Sequence, residues 1–272
     1  MEIGVFAKTF PGSEPAGVLA AVRDAGFAVT QFNLACAGLP SMPDAVPDHA
    51  ISTIAAASNA SGVALVALSG TYNMAHPDMT VRHDGLRRLG AVIEAAAALS
   101  VPLVTLCTGT RNADDQWAHH PGNADPSAWA DMASEMEKAL ALAEHHGVEL
   151  GIEPEQANIV TSAADAMRLI AEMGSKRLRI VLDPANLFEQ ASTGQARAVV
   201  AAAVEGTAGH VAMAHAKDRF ADGRFATVGR GVVDFADFVA RLKVSGFDGP
   251  LVTHGLSAEE APGVARFLKG LA

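Results

Sequence analysis

Cysteine, clusters of basic residues and long apolar segments are all scarce in this 272-residue chain. Its two cysteines, Cys36 and Cys107, lie far apart without a CxxC pair, so we expect no disulfide and a reducing compartment. The amino-terminal segment MEIGVFAKTFPG lacks the basic start and apolar stretch of a signal peptide, and we expect a cytoplasmic protein. The longest uncharged segment, residues 50–75, is interrupted by Ser, Thr, Asn and Gly, which argues against a membrane span.

Acidic residues outnumber basic residues in this chain. The 30 Asp and Glu residues and 20 Lys and Arg residues give a formal net charge of -10 at pH 7. No basic run offsets this charge, and a nucleic-acid backbone would therefore be repelled. We expect neither nucleic acid nor a membrane as a partner, whereas a homo-oligomer is compatible with the sequence.

Short apolar runs recur along the chain, and each is followed by a polar loop and a segment with helical spacing. Half of the residues are hydrophobic, enough to build a substantial core. We predict eight strands, at residues 3–7, 28–33, 64–68, 103–106, 148–152, 179–182, 211–214 and 251–253. Helix signals accompany them, including Ser162 as an N-cap and Gly147 and Gly174 just past helix ends.

Eight strand–helix units in 272 residues average about 34 residues each, which is enough for one strand, one helix and two loops. Short continuous apolar strands are typical of a parallel sheet covered by helices. The alternative, a doubly wound open sheet, usually has a glycine-rich phosphate loop after its first strand, and this chain has none there. We therefore predict an α/β protein with a single (β/α)₈ TIM barrel. No linker or low-complexity segment interrupts the chain, so we expect one domain over residues 1–272.

Polar residues that follow barrel strands are candidates for chemistry, because active sites of such barrels form at the C-terminal strand ends. The last four predicted strands end near Glu153, Asp183, His215 and His254, which are separated by 30, 32 and 39 residues. Each separation is about one strand–helix unit, so the four side chains are expected to converge. Two carboxylates and two imidazoles predict a divalent-metal site suited to Mn²⁺, Zn²⁺, Co²⁺ or Fe²⁺.

Each of these residues also has a structural interpretation. Glu153 is compatible with a solvated loop carboxylate, Asp183 before Pro184 with the start of a turn, and a lone His with a hydrogen-bonded core residue. Only the register of four such residues at four consecutive strand ends favours a shared site.

With these residues in place, the sequence resembles the xylose isomerase-like TIM barrels, which include sugar phosphate isomerases and epimerases. The resemblance spans nearly the whole chain through the segments LSGTYNMAHPD, VTLCTGTR, GIEPEQANIV, VLDPANLF, HAKD and VGRGVVDF. It implies that Glu153, Asp183 and His215 bind one divalent metal ion. The fourth ligand position holds His254 where the family usually has Glu, and Asn186 stands where some ketose epimerases have His.

The resemblance further implies a metal-dependent sugar isomerase or epimerase with a small carbohydrate or hydroxy-keto acid as substrate. Its chemistry would be proton abstraction next to a carbonyl through a metal-stabilised enediolate. Glu153 is the expected base. His254 is expected to ligate the metal or carry a proton, because a neutral imidazole can do either, although not both through one nitrogen.

Residues near other strand ends are candidates for substrate binding. Lys217 follows His215 closely and could neutralise an anionic group, with a plain salt bridge as the alternative. His76 and Arg111, in the predicted third and fourth loops, could bind substrate oxygens or serve as loop and surface contacts. Glu155 is equally compatible with two roles, orienting a metal ligand or contacting substrate on the one hand and serving as a surface charge on the other. The Gly229–Gly231 loop offers only weak support for an anion site, because its glycines also suit a tight turn.

Two alternatives from other functional classes stay open at this point. An endonuclease IV-like hydrolase shares the barrel but needs more His and acidic ligands at the first four strand ends, where His76 alone is obvious. A noncatalytic metabolite-binding barrel would explain the loss of the second family glutamate. Metal content and a proton-exchange assay would separate these possibilities.

Overall fold

A computed structural model describes residues 1–272 and contains one closed barrel of eight parallel strands, as predicted. The barrel strands are β1 (Ile3–Phe6), β2 (Val29–Phe32), β3 (Ala64–Ser69), β4 (Leu103–Leu106), β5 (Glu149–Ile152), β6 (Leu178–Leu182), β7 (Val211–Ala216) and β10 (Leu251–Thr253). Their neighbour order follows the chain, and β10 pairs with both β7 and β1 to close the barrel. Two further strands, β8 (Asp218–Arg219) and β9 (Phe225–Ala226), form a separate antiparallel ribbon.

Eight helices lie between the barrel strands or follow them. They are α1 (Pro15–Asp24), α2 (Asp48–Ser61), α3 (Met79–Ala98), α4 (Pro126–His146), α5 (Ala163–Met173), α6 (Thr193–Gly206), α7 (Phe235–Val244) and α8 (Ala261–Lys269). The predicted caps are confirmed: the Ser162 side chain accepts a hydrogen bond from the backbone N–H of Asp165. Gly147 and Gly174 end α4 and α5 in the left-handed conformation, at φ of 74° and 63°. No helix combines the length and the apolar character needed to cross a bilayer.

The barrel interior has an apolar floor. Side chains from alternate strand positions point inward, and Ala67, Leu103, Val181, Met213 and Val252 form a small buried cluster. Gly4 and Gly151 complete this layer where neighbouring side chains leave no room for a Cβ atom. A Cβ on Gly151 would lie 2.7 Å from Val181 Cγ2, and one on Gly4 would lie 2.7 Å from Val29 Cγ2.

Two positions further along, the inward side chains of seven strands are polar, and Phe6 of β1 is the apolar exception. This upper layer consists of Phe6, Gln31, Ser69, Thr105, Glu153, Asp183, His215 and His254. The two-residue period of the strands thus places every member of the layer directly above the floor, at the C-terminal end of the barrel. Strand periodicity therefore positions the candidate site.

The structure differs from the sequence prediction at some element ends. The segment HDGLRRLGAVIEAAAALS predicts a helix from His83, whereas helix α3 begins four residues earlier, at Met79. The Asp78 side chain caps it there by accepting a hydrogen bond from Thr80 N. Strand β7 extends to Ala216, since His215 pairs with Val252 of β10, so His215 lies within a strand. The ribbon of β8 and β9 was not predicted, because two-residue strands carry no periodic signal.

Candidate functional site

Four side chains that can bind a metal ion meet above the barrel floor. Glu153 follows β5, Asp183 follows β6, His215 lies in β7 and His254 follows β10. One ligand-type atom from each lies within 4.8 Å of the others. The residues are separated by up to 101 positions in the chain, and parallel strands bring them to one end of the barrel.

Asp183 is the fully buried member of this cluster, with no exposed surface. Its Oδ1 accepts a hydrogen bond from the backbone N–H of Ala185 at 2.9 Å, which starts the short helical turn after β6. Its Oδ2 faces the cluster and lies 3.0 Å from His254 Nε2. Burial opposes ionisation, but the His254 hydrogen bond and the nearby Lys217 charge outweigh it and hold the pKa of Asp183 well below its usual range.

The His215 ring is held on both sides. Nδ1 lies 3.1 Å from Glu153 Oε1 and 3.9 Å from Asp183 Oδ2, and Nε2 lies 2.8 Å from Gln31 Oε1. Burial disfavours the imidazolium, but the charges of Glu153 and Asp183 are stronger and raise the pKa of His215. In the metal-free protein these two carboxylates therefore stabilise a positively charged His215.

Glu153 is positioned by an amide. Its Oε1 accepts a hydrogen bond of 2.8 Å from Asn186 Nδ2, in addition to its contact with His215 Nδ1. Asn186 in turn accepts a hydrogen bond of 3.1 Å from Lys217 Nζ through its Oδ1. One amide thus connects the candidate base to the Lys217 ammonium group.

His254 is the cluster member with the opposite electrostatic preference from His215. Burial lowers its pKa, and the charge on His215 adds to this effect because the two ring centroids are only 4.5 Å apart. The hydrogen bond to Asp183 opposes the shift without reversing it. The neutral imidazole is therefore the favoured form of His254 near neutral pH.

The donor set fits a divalent cation. Two carboxylate oxygens and two imidazole nitrogens are ligands that suit Mn²⁺, Zn²⁺, Co²⁺ and Fe²⁺. Opposite ligands on one such ion lie about 4.4 Å apart, because each metal–ligand bond is about 2.2 Å, so small side-chain shifts would close this cluster on an ion. The far sides of Asp183 and His215 already have partners in Ala185 N and Gln31 Oε1, which leaves Asp183 Oδ2 and His215 Nδ1 facing the centre.

A cavity of about 910 Å³ opens above the cluster. Only seven of its 28 lining residues are hydrophobic, so it suits a polar small molecule. Lys217 lines the cavity, and its Nζ lies 3.7 Å from the centroid of the Phe225 ring with no carboxylate within ion-pair distance. Glu155 also lines it, and burial together with the charge of Glu153 raises the pKa of Glu155 to about 7.

His76 and Arg111 lie outside this cavity. His76 Nδ1 accepts from the backbone N–H of Asp78 at 3.0 Å, and its ring lines a second cavity of about 430 Å³. Arg111 forms a 2.7 Å ion pair with Asp131 and donates to the carbonyl oxygen of Ala75 at 3.1 Å. Both side chains make the loop contacts that were their structural alternatives, and their substrate-binding role stays a prediction.

The backbone N–H groups of the Gly229–Gly231 loop already bind a carboxylate of the protein, that of Asp218. The buried Asp218 carboxylate accepts hydrogen bonds from the backbone N–H groups of Gly229 and Gly231 at 3.0 and 2.7 Å. A Cβ on Gly231 would collide with Asp218 and with the Arg219 carbonyl. These N–H groups therefore brace the loop and do not face the cavity.

Gln31 is a contact of the cluster that the sequence reasoning missed. It is an amide in the fully buried strand β2 (VTQF), and it is only 6% exposed. A polar side chain at an inward position of a barrel strand was the available signal, since such groups need a buried partner.

The closed barrel and the carboxylate–imidazole cluster at its C-terminal end place the protein in the class of TIM barrels with a candidate metal site at the strand ends. The family model of xylose isomerase-like TIM barrels matches residues 19–271. The chain therefore belongs to this family.

Solved structures with this fold include several sugar epimerases. The chain is similar to a 3-keto-D-glucoside 4-epimerase from E. coli, with a TM-score of 0.78 and 17% identity over 99% of each chain. A D-allulose 3-epimerase from Methylomonas sp. has a TM-score of 0.77 and 17% identity over 100% of this chain and 98% of its own. An L-ribulose 3-epimerase has a TM-score of 0.76 and 19% identity over 99% of this chain and 92% of its own. At these identities the likeness concerns the fold. Comparison with curated protein sequences gives no significant match.

Proposed function

We propose that this protein is a metal-dependent isomerase or epimerase that moves a proton next to a carbonyl in a small sugar, sugar phosphate or hydroxy-keto acid. The observation that carries the proposal is the set of four ligand atoms within 4.8 Å of one another beneath a polar cavity. The sugar epimerases of similar structure support a carbohydrate substrate. The residues that would hold the ion are Glu153, Asp183, His215 and His254. When bound, the ion would polarise the substrate carbonyl and favour the negative charge that develops as the proton leaves.

Glu153 is the proposed base. Its Oε1 is engaged by Asn186 and His215, and its Oε2 makes no hydrogen bond, which leaves one oxygen to accept a carbon-bound proton. The amide of Asn186 limits rotation of the carboxylate. A base with a fixed orientation loses less entropy when the substrate reaches it.

His254 is proposed as the fourth ligand or, alternatively, as the second proton carrier. As a carrier, its neutral imidazole would keep a proton on Nε2 toward Asp183 and exchange a proton at Nδ1, and Glu153, Asp183 and His215 alone would then hold the ion. Lys217 is the proposed substrate contact in the same cavity. Its ammonium group, with no carboxylate partner, can bind a substrate oxygen or an anionic group of the substrate.

The endonuclease IV-like alternative needs a larger set of ligands. The structure contains one group of potential metal ligands, and it comprises the four residues of the second half of the barrel. His76, the ligand that this alternative would use first, makes loop contacts outside the cavity. The single cluster favours the isomerase.

The test is a comparison of the wild type with Glu153→Gln and Asp183→Ala. Each protein is titrated with Mn²⁺, and exchange of the substrate α-proton with solvent deuterium is followed by NMR on a panel of ketoses and hydroxy-keto acids. We expect the wild type to bind about one ion and to catalyse exchange with at least one compound. Asp183→Ala should lose both properties, because removing this buried carboxylate takes away a ligand and a partner of His254.

Glu153→Gln should lose exchange by a factor of at least about 100, the usual contribution of a general base. Its metal content is measured in the same sample, since the side chain is also a proposed ligand. A Glu153→Gln protein that keeps its ion and exchanges at the wild-type rate would show that Glu153 is not the base. Equal Mn²⁺ affinity in the wild type and in Asp183→Ala would contradict the metal site, and bound metal without exchange on any compound would favour the noncatalytic barrel.

A further inference from the structure

The first half of the barrel contributes a buried hydrogen-bond network that contacts the cluster. Gln31, Ser69 and Thr105, from β2, β3 and β4, occupy neighbouring positions of the upper interior layer and are 6%, 7% and 4% exposed. Gln31 Nε2 donates to Ser69 Oγ at 3.0 Å and to Thr105 Oγ1 at 3.1 Å. Its Oε1 lies 2.8 Å from His215 Nε2, across the barrel.

This arrangement uses the whole Gln31 amide. Both N–H bonds of the amide are directed at hydroxyl oxygens, and those hydroxyl groups make no other side-chain hydrogen bond. The remaining atom, Oε1, can only accept, so the His215 nitrogen that faces it must carry a proton. Because Gln31 holds the Nε2 proton, Nδ1 is the nitrogen that would give up its proton to a metal ion, and it faces Glu153 and Asp183 at 3.1 and 3.9 Å.

The opposite amide orientation would have the opposite effect. With its NH₂ group turned toward Nε2, Gln31 would favour the proton on Nδ1, between His215 and the two carboxylates. A ring nitrogen that carries a proton cannot ligate a metal. The position of the amide oxygen therefore decides whether His215 is prepared for ligation.

We propose that Gln31 is a positioning residue that holds the Nε2 proton of His215, so that the metal-bound ring is the Nε2–H tautomer with Nδ1 toward the metal position, with Ser69 and Thr105 as the anchors of its amide. Gln31 is not one of the four candidate ligands, so it would act on the ion through His215. This inference rests on the proposed function, because a metal position is what gives the tautomer its consequence.

The test compares Gln31→Met with Gln31→Glu, and uses Gln116→Met as a matched control. Met preserves length and removes the acceptor, whereas Glu retains an acceptor oxygen toward His215. Gln116 lines the same cavity and is not among the hydrogen-bond partners of His215. Affinity for Mn²⁺ is measured by electron paramagnetic resonance of the free ion, and the tautomer is read from ¹⁵N–¹H correlations of the His215 ring with and without Zn²⁺.

In the wild type, we expect Zn²⁺ to bind at Nδ1 while Nε2 keeps its proton. Gln31→Met should weaken Mn²⁺ binding by about 10- to 100-fold, the usual effect of losing the hydrogen-bond partner of a ligating His. Gln31→Glu and Gln116→Met should keep wild-type affinity. Wild-type Mn²⁺ affinity in Gln31→Glu would show that the acceptor oxygen at position 31, and not the volume of the side chain, supports binding.

Two results would overturn the proposal while leaving the metal site intact. One is wild-type Mn²⁺ affinity in Gln31→Met, given that Asp183→Ala loses binding. The other is coordination of Zn²⁺ through Nε2 in the wild type, which needs no variant to fold. If the wild type bound no metal, the proposed function would fail instead. The tautomer would then still be tested in the metal-free protein, where the Nε2 proton should be protected from exchange in the wild type and exposed in Gln31→Met.

Discussion

Replacing Asp218 with Asn should release the loop of residues 229–233. The Asp218 side chain is buried with no exposed surface. Oδ2 accepts from the N–H groups of Gly229 and Gly231 at 3.0 and 2.7 Å, and Oδ1 accepts from those of Val233 and Arg219 at 3.1 and 2.8 Å. The carboxylate thus ties residues 229–233 to the ribbon of β8 and β9.

The magnitude follows from the number of donors left without an acceptor. An Asn side chain keeps one oxygen for two of the four N–H groups and presents its own NH₂ group to the other two. Each unsatisfied buried donor costs about 1–3 kcal/mol, so the expected loss is about 2–6 kcal/mol, with a central value of about 4 kcal/mol. For a protein of this size, that central value corresponds to a fall in Tm of about 8–16 °C.

The assay combines thermal unfolding with hydrogen exchange of the peptide that spans residues 227–233. Because the loop can open without unfolding the barrel, exchange in this peptide should accelerate even where the fall in Tm is smaller. The control is Asp222→Asn, an exposed carboxylate on the same ribbon that accepts from Arg224 N at 3.1 Å. Unchanged Tm together with unchanged exchange in residues 227–233 of Asp218→Asn would refute the reasoning.

Two further predictions concern charge. Burial and the charge of Glu153 raise the pKa of Glu155 from 4.5 to about 7, so the folded protein loses stability as the pH rises through this interval. Glu155→Gln removes this pH-dependent loss of stability and should stabilise the metal-free protein by about 1–3 kcal/mol above neutral pH, with no gain at acidic pH. Urea unfolding of both proteins at acidic pH and above neutral pH measures the difference, and an equal difference at the two pH values would contradict the prediction. With a net charge of -10, the protein should show no salt-dependent affinity for duplex DNA in fluorescence anisotropy, and tight binding to abasic DNA would instead support the endonuclease alternative.

The barrel and the ligand cluster could be anticipated because both depend on local periodicity. Alternation within each strand puts Val181 and Asp183, or Met213 and His215, on the same inward face, so an apolar residue marks the floor and the next inward residue marks the site. Parallel strands with helical connections then have their C-terminal ends on one side of the sheet. The polar residue at the end of each apolar run is therefore identifiable from the sequence, with errors of one or two residues at element ends such as that of β7.

The partners of the cluster depend on the closure of the barrel. Gln31 and His215 are 184 residues apart and meet only because β10 joins β7 to β1 and completes the ring. Neither the strand pattern nor the spacing along the chain specifies which inward side chain lies opposite another across the barrel.

Loop side chains were the other feature that the sequence left open. His76 and Arg111 follow strand ends, as the site residues do, yet backbone carbonyls and Asp131 hold them outside the cavity. Lys217 lines the cavity and contacts Asn186, whereas the Asp218 side chain beside it is buried among backbone N–H groups. A strand fixes side-chain direction by its two-residue period, but a loop side chain takes its direction from the hydrogen-bond partners available in three dimensions. The sequence therefore determined the barrel and the candidate ligands at its strand ends, and the tertiary structure decided which loop residues face the cavity.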